Sequence, residues 1–323
     1  PTPTTISYCL NATAQPLAIA GYSNLLWYGT SKTNTPTTTA PTPLTNTEGN
    51  TIYYVSQVVD QCESDIAEVT VIVKSKLEPQ INLSKAEVCA GTAINISLSQ
   101  GYVKQTWSGT AASYLNSTTM AAPEFLATAP AGPYTLTVDV EDASSCTGTA
   151  SVAIQVNEVP VVSISADDVT HCVSVTDAQT ITAKITPSTL TGTHTWTNVS
   201  STSSTASFVP SSKTPDDYKI TYQFTSDDNC PSNVDSLIMT VYALPSITIT
   251  PSKTDVCKSG INSSDITMSP SQTVGNFVYS VDNGGTIASN GTFSPASNAA
   301  GDYIVTLTYT DANSCTSKAI ADV

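Results

Sequence analysis

Apolar and polar side chains alternate with a period of two along much of this chain. In GDYIVTLTYTDANSC (301–315), Tyr303, Val305, Leu307 and Tyr309 share one face, and Ile304, Thr306 and Thr308 take the other. GPYTLTVDVEDASSC (132–146) sets Tyr134, Leu136, Val138 and Val140 against Thr135, Thr137 and Asp139. DDYKITYQFTSDDNC (216–230) sets Tyr218, Ile220, Tyr222 and Phe224 against Lys219, Thr221 and Gln223. Successive side chains of a strand point to opposite faces, so each run predicts a half-buried strand with an apolar inner face. A looser echo, NTIYYVSQVVDQC (50–62), is about three residues shorter, and its pattern does not settle which parity faces inward. Shorter alternating runs recur at matched places: AINISLS after Cys89, QTITAKI after Cys172 and DITMS after Cys257. Gly, Pro, Asn, Asp and Ser punctuate these runs, and no stretch sustains a helical period, so the expectation is all-β.

The echoes mark an internal repeat. Eight cysteines fall at 9, 62, 89, 146, 172, 230, 257 and 315, with separations of 53, 57, 58 and 58 within successive pairs. Four units follow: 1–76, 77–158, 159–244 and 245–323. The first three end in alternating runs, VTVIVKSKLEP, SVAIQVNEVP and SLIMTVYALP, each closed by a proline (Pro79, Pro160, Pro245). Proline removes a backbone donor and stiffens the handover from one unit to the next. No Gly/Ser-rich linker intervenes, so a semi-rigid extended rod is expected rather than loose beads. A large aromatic lies 18–24 residues past each first cysteine: Trp27, Trp107, Trp196 and Tyr279. About seven short strands in some 80 residues, with a central aromatic and a cysteine pair, predict four tandem immunoglobulin-like β-sandwich domains.

Composition narrows the function. Hydrophobic residues make up 40% of the 323, enough for cores, while charged residues are only 11% and hydroxyl side chains take their place. The net charge is −15, and all eleven basic residues are lysine. A chain with no arginine and this acidity is a poor partner for phosphates, which excludes nucleic-acid binding and disfavours anionic membrane surfaces. No apolar run reaches membrane-spanning length, and PTPTTISYC does not open as a leader. The expectation is a mature segment or fragment with its targeting signals elsewhere and no direct membrane insertion.

The cysteines are the principal candidate chemistry. An even number, one pair per repeat and no CxxC spacing point to disulfides rather than zinc or redox work. Pairing within each repeat is simplest: Cys9–Cys62, Cys89–Cys146, Cys172–Cys230 and Cys257–Cys315. In a regular immunoglobulin topology, however, the first and last inter-strand loops lie at opposite ends, so a bridge between neighbouring repeats, for example Cys89–Cys230, stands as the alternative. Acids precede each second cysteine, and Asp142, Asp227, Asp228 and Asp311 are calcium candidates, since hard cations want clustered oxygens. Their spacing matches no regular calcium loop, and Asp also makes turns by bonding its own backbone. The recurrence of Trp27, Trp107, Trp196 and Tyr279 favours core packing over sugar stacking. His171 and His194 stand without a paired acid or nucleophile, and no GxSxG, HExxH or phosphate loop occurs, so neither an enzyme nor a bound cofactor is expected. Exposed Ser and Thr remain open as O-glycan sites.

The phrase DVCKSGINSSDITMS…NGTFSPASNAAGDYIVTLTYTDANSCTSKAIADV resembles the Ig-like or PKD-like repeats of giant bacterial cell-surface adhesins, which are type IX secretion cargo in gliding or surface-attached bacteria. The first unit, with YCLNATAQPLA, LLWYGT and IYYVSQ, resembles an Ig-like variant from the same kind of protein. The resemblance implies an extracellular, cell-surface structural stalk used in adhesion or motility, touching neighbouring repeats of the same chain, and open to lateral self-association or contact with surface glycans. The pattern departs from antibody domains, because the second cysteine lies twelve residues after Tyr134, Tyr218 and Tyr303 rather than two. Any bridge is therefore expected near a domain end. A second reading is a carbohydrate-binding array or an accessory region of a secreted polysaccharide-acting enzyme.

Overall fold

The structure is a computed structural model that describes residues 1–259 and 264–323. Strands dominate it, with three short 3-10 turns. Among the described residues no helix is long and apolar enough to cross a membrane. The chain divides into two compact units, Pro1–Glu158 and Val159–Val323.

In the first unit, residues 77–158 build two facing sheets. One orders Glu124–Phe125, Ile94–Leu98 and Ile81–Leu83; the other orders Glu87–Cys89, Thr147–Asn157, Gly132–Glu141 and Lys104–Ser108. Consecutive strands switch sheets until the last two, Gly132–Glu141 and Thr147–Asn157, which pair within one sheet, and this is an immunoglobulin-like arrangement. Alternation supplies the core: Ile94, Ile96 and Phe125 from one sheet meet Trp107, Leu136, Val138, Val140, Ile154 and Val156 from the other, all buried. One pairing is parallel. Glu87–Cys89 runs alongside the end of Thr147–Asn157, with Cys89 opposite Asn157.

Residues 1–76 depart from this plan. They form one sheet, ordered Thr4–Cys9, Ala67–Lys74, Gly49–Val59 and Leu25–Gly29. Irregular backbone closes the other side, where Leu17 and Ile19 cover Trp27, Val55, Val69 and Val71. The covering stretches are rich in Thr and Pro (TPTTTAPTP, 35–43), and proline cannot donate to a ladder. The open parity of NTIYYVSQVVDQC resolves with Tyr53 and Val55 inward, and Ser56 is buried beside them. The register slips between Trp27 and Gly29 on the paired strand, which blurs the period of two.

In the second unit, residues 159–244 repeat the two-sheet plan. Val161–Ala166, Gln179–Thr186 and Thr205–Phe208 face Thr170–Cys172, Asp235–Tyr242, Asp216–Ser226 and Gly192–Thr197. Residues 245–323 pair Ile249–Pro251, Ile266–Pro270 and Thr292–Phe293 in one sheet, and Asn276–Val281, Ile304–Thr310 and Thr316–Asp322 in the other. Tyr303, Val305, Leu307 and Tyr309 are all buried, as their alternation predicts.

The tyrosine that opens each long alternating run turns a corner. Its hydroxyl donates to the carbonyl four residues upstream: Tyr134 to Pro130 at 2.8 Å, Tyr218 to Thr214 at 2.8 Å and Tyr303 to Ala299 at 3.0 Å. The 3-10 turns Pro210–Ser212 and Pro295–Ser297 deliver the chain to the last two corners, with Pro210 and Pro295 buried beneath them. Tyr303→Phe keeps the ring and loses only the hydroxyl bond, so it is expected to cost about 1 kcal/mol. Leu136→Ala opens a cavity in a fully buried site and is expected to cost about 3–5 kcal/mol. Urea denaturation of the two variants beside the parent checks both the order and the size.

Candidate functional site

Each first cysteine ends a short strand or follows one, and in three repeats that strand lies parallel to the last strand of its domain. Cys9 stands opposite Lys74, Cys89 opposite Asn157 and Cys172 opposite Tyr242, in each case at or beside the C-terminal end of the last strand. The second cysteine sits in the turn before that same strand: Cys146 before Thr147–Asn157, Cys230 before Asp235–Tyr242 and Cys315 before Thr316–Asp322. The two cysteines of a repeat therefore occupy opposite ends of one strand. For Cys89 and Cys146 that is about 36 Å at 3.3 Å per residue, whereas a disulfide needs Cα atoms roughly 6 Å apart.

Strand length thus rules out the simplest pairing, and the expected Cys9–Cys62, Cys89–Cys146, Cys172–Cys230 and Cys257–Cys315 bridges are corrected. Cys9 bonds Cys146, and Cys172 bonds Cys315, each with a Cα–Cα distance of 5.5 Å. Cys89 and Cys230 are disulfide-bonded as well. Cys62 and Cys257 are free, exposed thiols. Cys9–Cys146 and Cys172–Cys315 each join the first cysteine of one repeat to the second cysteine of the following repeat. The loops they close span 137 and 143 residues. In the chain-entropy account, a loop of that length stabilises the fold by about 5 kcal/mol.

The acids before the second cysteines shape the turn that presents the sulfur. Asp142 Oδ1 accepts the backbone N–H groups of Ser144 at 2.8 Å and Cys146 at 2.9 Å. Asp311 Oδ1 accepts those of Asn313 and Cys315, both at 2.9 Å. Ser226 Oγ takes the same place for the Cys230 N–H at 3.2 Å. The residue before each cysteine adopts a left-handed conformation, with φ of 61° at Ser145, 58° at Asn229 and 63° at Ser314. Asp227 instead accepts the Thr191 hydroxyl at 2.6 Å, and Asp228 is exposed in the same turn. Among the described residues, no group of three or more His, Cys, Asp or Glu side chains is placed to hold a metal ion.

Around the Cys9–Cys146 bridge the junction is reinforced. Lys74, the register partner of Cys9, donates to Ser144 Oγ and lies 3.7 Å from Asp142 Oδ2. The Asp142 carboxyl is held below the usual carboxylate range, first by the Cys146 N–H, then by the Ser144 N–H and the Lys74 ammonium, against the opposing effect of burial. Gly148 fits under the same junction, since a Cβ there would stand 2.6 Å from the Leu77 carbonyl oxygen. Neither Lys74 nor Gly148 was singled out by the sequence pattern, because neither position repeats its residue type: Asn157 and Tyr242 stand where Lys74 does.

The remaining candidates sit in or against the cores. Trp27 and Trp107 are 3% and 2% exposed, and the Trp107 Nε1 donates to the Met120 carbonyl at 2.8 Å. Trp196 and Tyr279 are half-buried, Trp196 lying 4.4 Å from Tyr222 between ring centroids. Burial pushes the Tyr222 phenol up to about 12 and lowers His194 from its ordinary value. His194 Nδ1 lies 2.6 Å from the Tyr222 oxygen, within hydrogen-bond distance. His171 is buried with Nε2 3.2 Å from the Asp168 carbonyl.

No protein-family profile matches the sequence, and no curated protein does. Solved structures align with this chain at low identity. The protocadherin GammaB4 extracellular domain aligns over 99% of this chain and 65% of its own at 11% identity and a TM-score of 0.33. This chain therefore spans just under two thirds of that structure's length. A 1.5-MDa bacterial ice-binding adhesin aligns over 76% and 97% at 12% identity and a TM-score of 0.33. A Ca2+-stabilized adhesin of an Antarctic bacterium aligns over 84% and 80% at 12% identity and a TM-score of 0.34.

Non-reducing peptide mapping is expected to return the linked pairs Cys9–Cys146 and Cys172–Cys315, with alkylation of Cys62 and Cys257 alone. Asp142→Ala removes the acceptor for two backbone N–H groups and is expected to cost about 1–2 kcal/mol at neutral pH. Because the folded carboxyl titrates below the unfolded one, its contribution is present above about pH 4 and fades as pH falls through the folded value. The stabilities of parent and variant, followed by urea midpoint against pH, should therefore converge in strong acid.

Proposed function

We propose that this chain is a structural stalk segment of a large extracellular bacterial adhesin or surface filament, built from Ig-like repeats at 1–76, 77–158, 159–244 and 245–323. The observation that carries the reading is the direction of the bridges: Cys9–Cys146 and Cys172–Cys315 join one repeat to the next instead of closing each on itself. A domain that needed only stability would gain as much from an internal bridge. A bridge to the neighbour also routes tension past the folded domains. Six disulfide-bonded cysteines fit an oxidising, extracellular setting. The acidic, hydroxyl-rich surface resists non-specific association. The resemblance to type IX cargo extends the proposal to that export route and to the surface of a gliding or surface-attached bacterium. No step of this function calls for catalysis. Trp27 and Trp107 offer no exposed face for sugar stacking, whereas Trp196 and Tyr279 are half-buried.

Pulling the chain from its two ends tests this reading. With the bridges intact, the covalent path under load is residues 1–9, 146–172 and 315–323, which at full stretch reaches roughly 150 Å. Reduction is expected to free stepwise unfolding toward roughly 1,100 Å for the whole chain. Stepwise release of whole domains from the oxidised chain would overturn the load-bearing role.

A further inference from the structure

The strand Gly192–Thr197 lies at the edge of its sheet and carries two rings on its inner face, His194 and Trp196. Both are half-buried, and they open onto a shallow groove of about 560 Å³ lined also by Val199, Ser200, Ser201 and Thr202. The matched rings of the neighbouring repeats are covered. In residues 77–158 the connection 109–123 folds back over Trp107, whose Nε1 donates to the Met120 carbonyl at 2.8 Å. The same stretch takes the Gln105 side chain, which donates to the Thr119 carbonyl. In residues 245–323 Gly291 sits against Tyr279, since a Cβ there would stand 2.7 Å from the ring. The connection in 159–244 is the shorter 198–204. It meets the indole at Nε1, which donates to the Ser203 carbonyl at 2.9 Å, and leaves the ring half-buried.

The groove is held in shape from below and from the side. Tyr222 is fully buried beneath both rings, with its centroid 4.4 Å from that of Trp196 and its oxygen 2.6 Å from His194 Nδ1. The serine-rich connection is pinned at several points. Asn198 Nδ2 donates to the Lys219 carbonyl at 2.7 Å, Ser201 Oγ donates to the Thr205 carbonyl, and the Ala183 N–H donates to the Ser204 carbonyl at 2.7 Å. Within this frame the hydroxyls of Thr195, Ser200 and Thr202 and the Nε2 of His194 line the groove without a hydrogen-bond partner among the described residues. No Asp, Glu, Lys or Arg lines it, although the chain carries −15. Burial lowers His194 from its ordinary value, so the imidazole too is uncharged at neutral pH.

We infer that this groove binds a neutral oligosaccharide. A pyranose ring presents C–H groups on its face and hydroxyls around its rim. The C–H face packs on the aromatic rings, and the hydroxyls exchange hydrogen bonds with Thr195, Ser200, Thr202 and His194 Nε2. His194 and Trp196 are two residues apart on one strand, about 7 Å at 3.3 Å per residue, so a ligand that covers both is longer than a single sugar. An anionic ligand would meet no cation here, and a cationic ligand no anion. The assignment goes beyond the mechanical role of the stalk and does not rest on it, because it gives one repeat a recognition surface along its flank.

The test titrates the full chain, bridges intact and at neutral pH, with cellohexaose, maltohexaose, xylohexaose and chitohexaose. Trp27 and Trp107 are 3% and 2% exposed, so acrylamide quenching of tryptophan fluorescence reports chiefly on Trp196. At least one of the four sugars is expected to shield Trp196 from the quencher, and to do so saturably. Trp196→Ala should weaken that binding at least about tenfold by calorimetry. Because this change also touches the core, Thr202→Glu is the second variant, at an exposed position where it should melt with the parent. It places bulk and charge in the groove and should weaken binding by at least about tenfold as well. A chain whose Trp196 none of the four sugars shields would overturn the inference. So would binding that either variant keeps to within about twofold of the parent, since the sugar would then lie elsewhere.

Discussion

The structure depends on the parallel contact, in each of the first three repeats, between the short strand that ends in the first cysteine and the last strand. Glu87–Cys89 against Gln155–Asn157 is three residues long, yet it decides where Cys89 lies. It places the first cysteine at one end of the domain and leaves the second at the other, in the turn that opens the same strand. No side-chain rearrangement spans that distance. Cys9 and Cys172, placed in the same way, bond the second cysteine of the repeat that follows, Cys146 and Cys315.

The remaining features serve that contact. The tyrosine corners lock the entry to the strand preceding each second cysteine, so the turn beyond it is delivered in a fixed place. Asp142 and Asp311 each hold two backbone N–H groups across that turn, and a left-handed residue aims the sulfur. The same carboxylates that pattern alone offers as cation ligands are thus engaged by their own backbone. Lys74 adds a charge partner at the first junction, where Asp142 meets both a bridge and an ammonium group. Elsewhere the outer faces carry Thr and Ser, which suits a surface that must stay clear of its neighbours.

Much of this was legible from residues 301–315 and their echoes. The inner faces follow from alternation because strand geometry has a strict period of two, and the corner role of Tyr134, Tyr218 and Tyr303 follows from their place at the head of the run. The first repeat was harder to read. Its register slips beside Trp27, its turn is the tight pair Asp60–Gln61, and irregular Pro- and Thr-rich backbone replaces a sheet. Cysteine connectivity was not legible from spacing. A separation of 57 or 58 residues says how long a loop is and nothing about which end of a sandwich each terminus reaches. The twelve residues between corner tyrosine and second cysteine carried the hint, since they are one strand's length and a turn.

The two bridges also change what a broken backbone means. A protease that cuts once between Cys9 and Cys146 severs one of 137 peptide bonds, yet both pieces stay joined through the sulfurs. The same holds for the 143 bonds between Cys172 and Cys315. A surface molecule exposed to secreted proteases would thus tolerate nicks across most of its length and still hold what is tethered to its end.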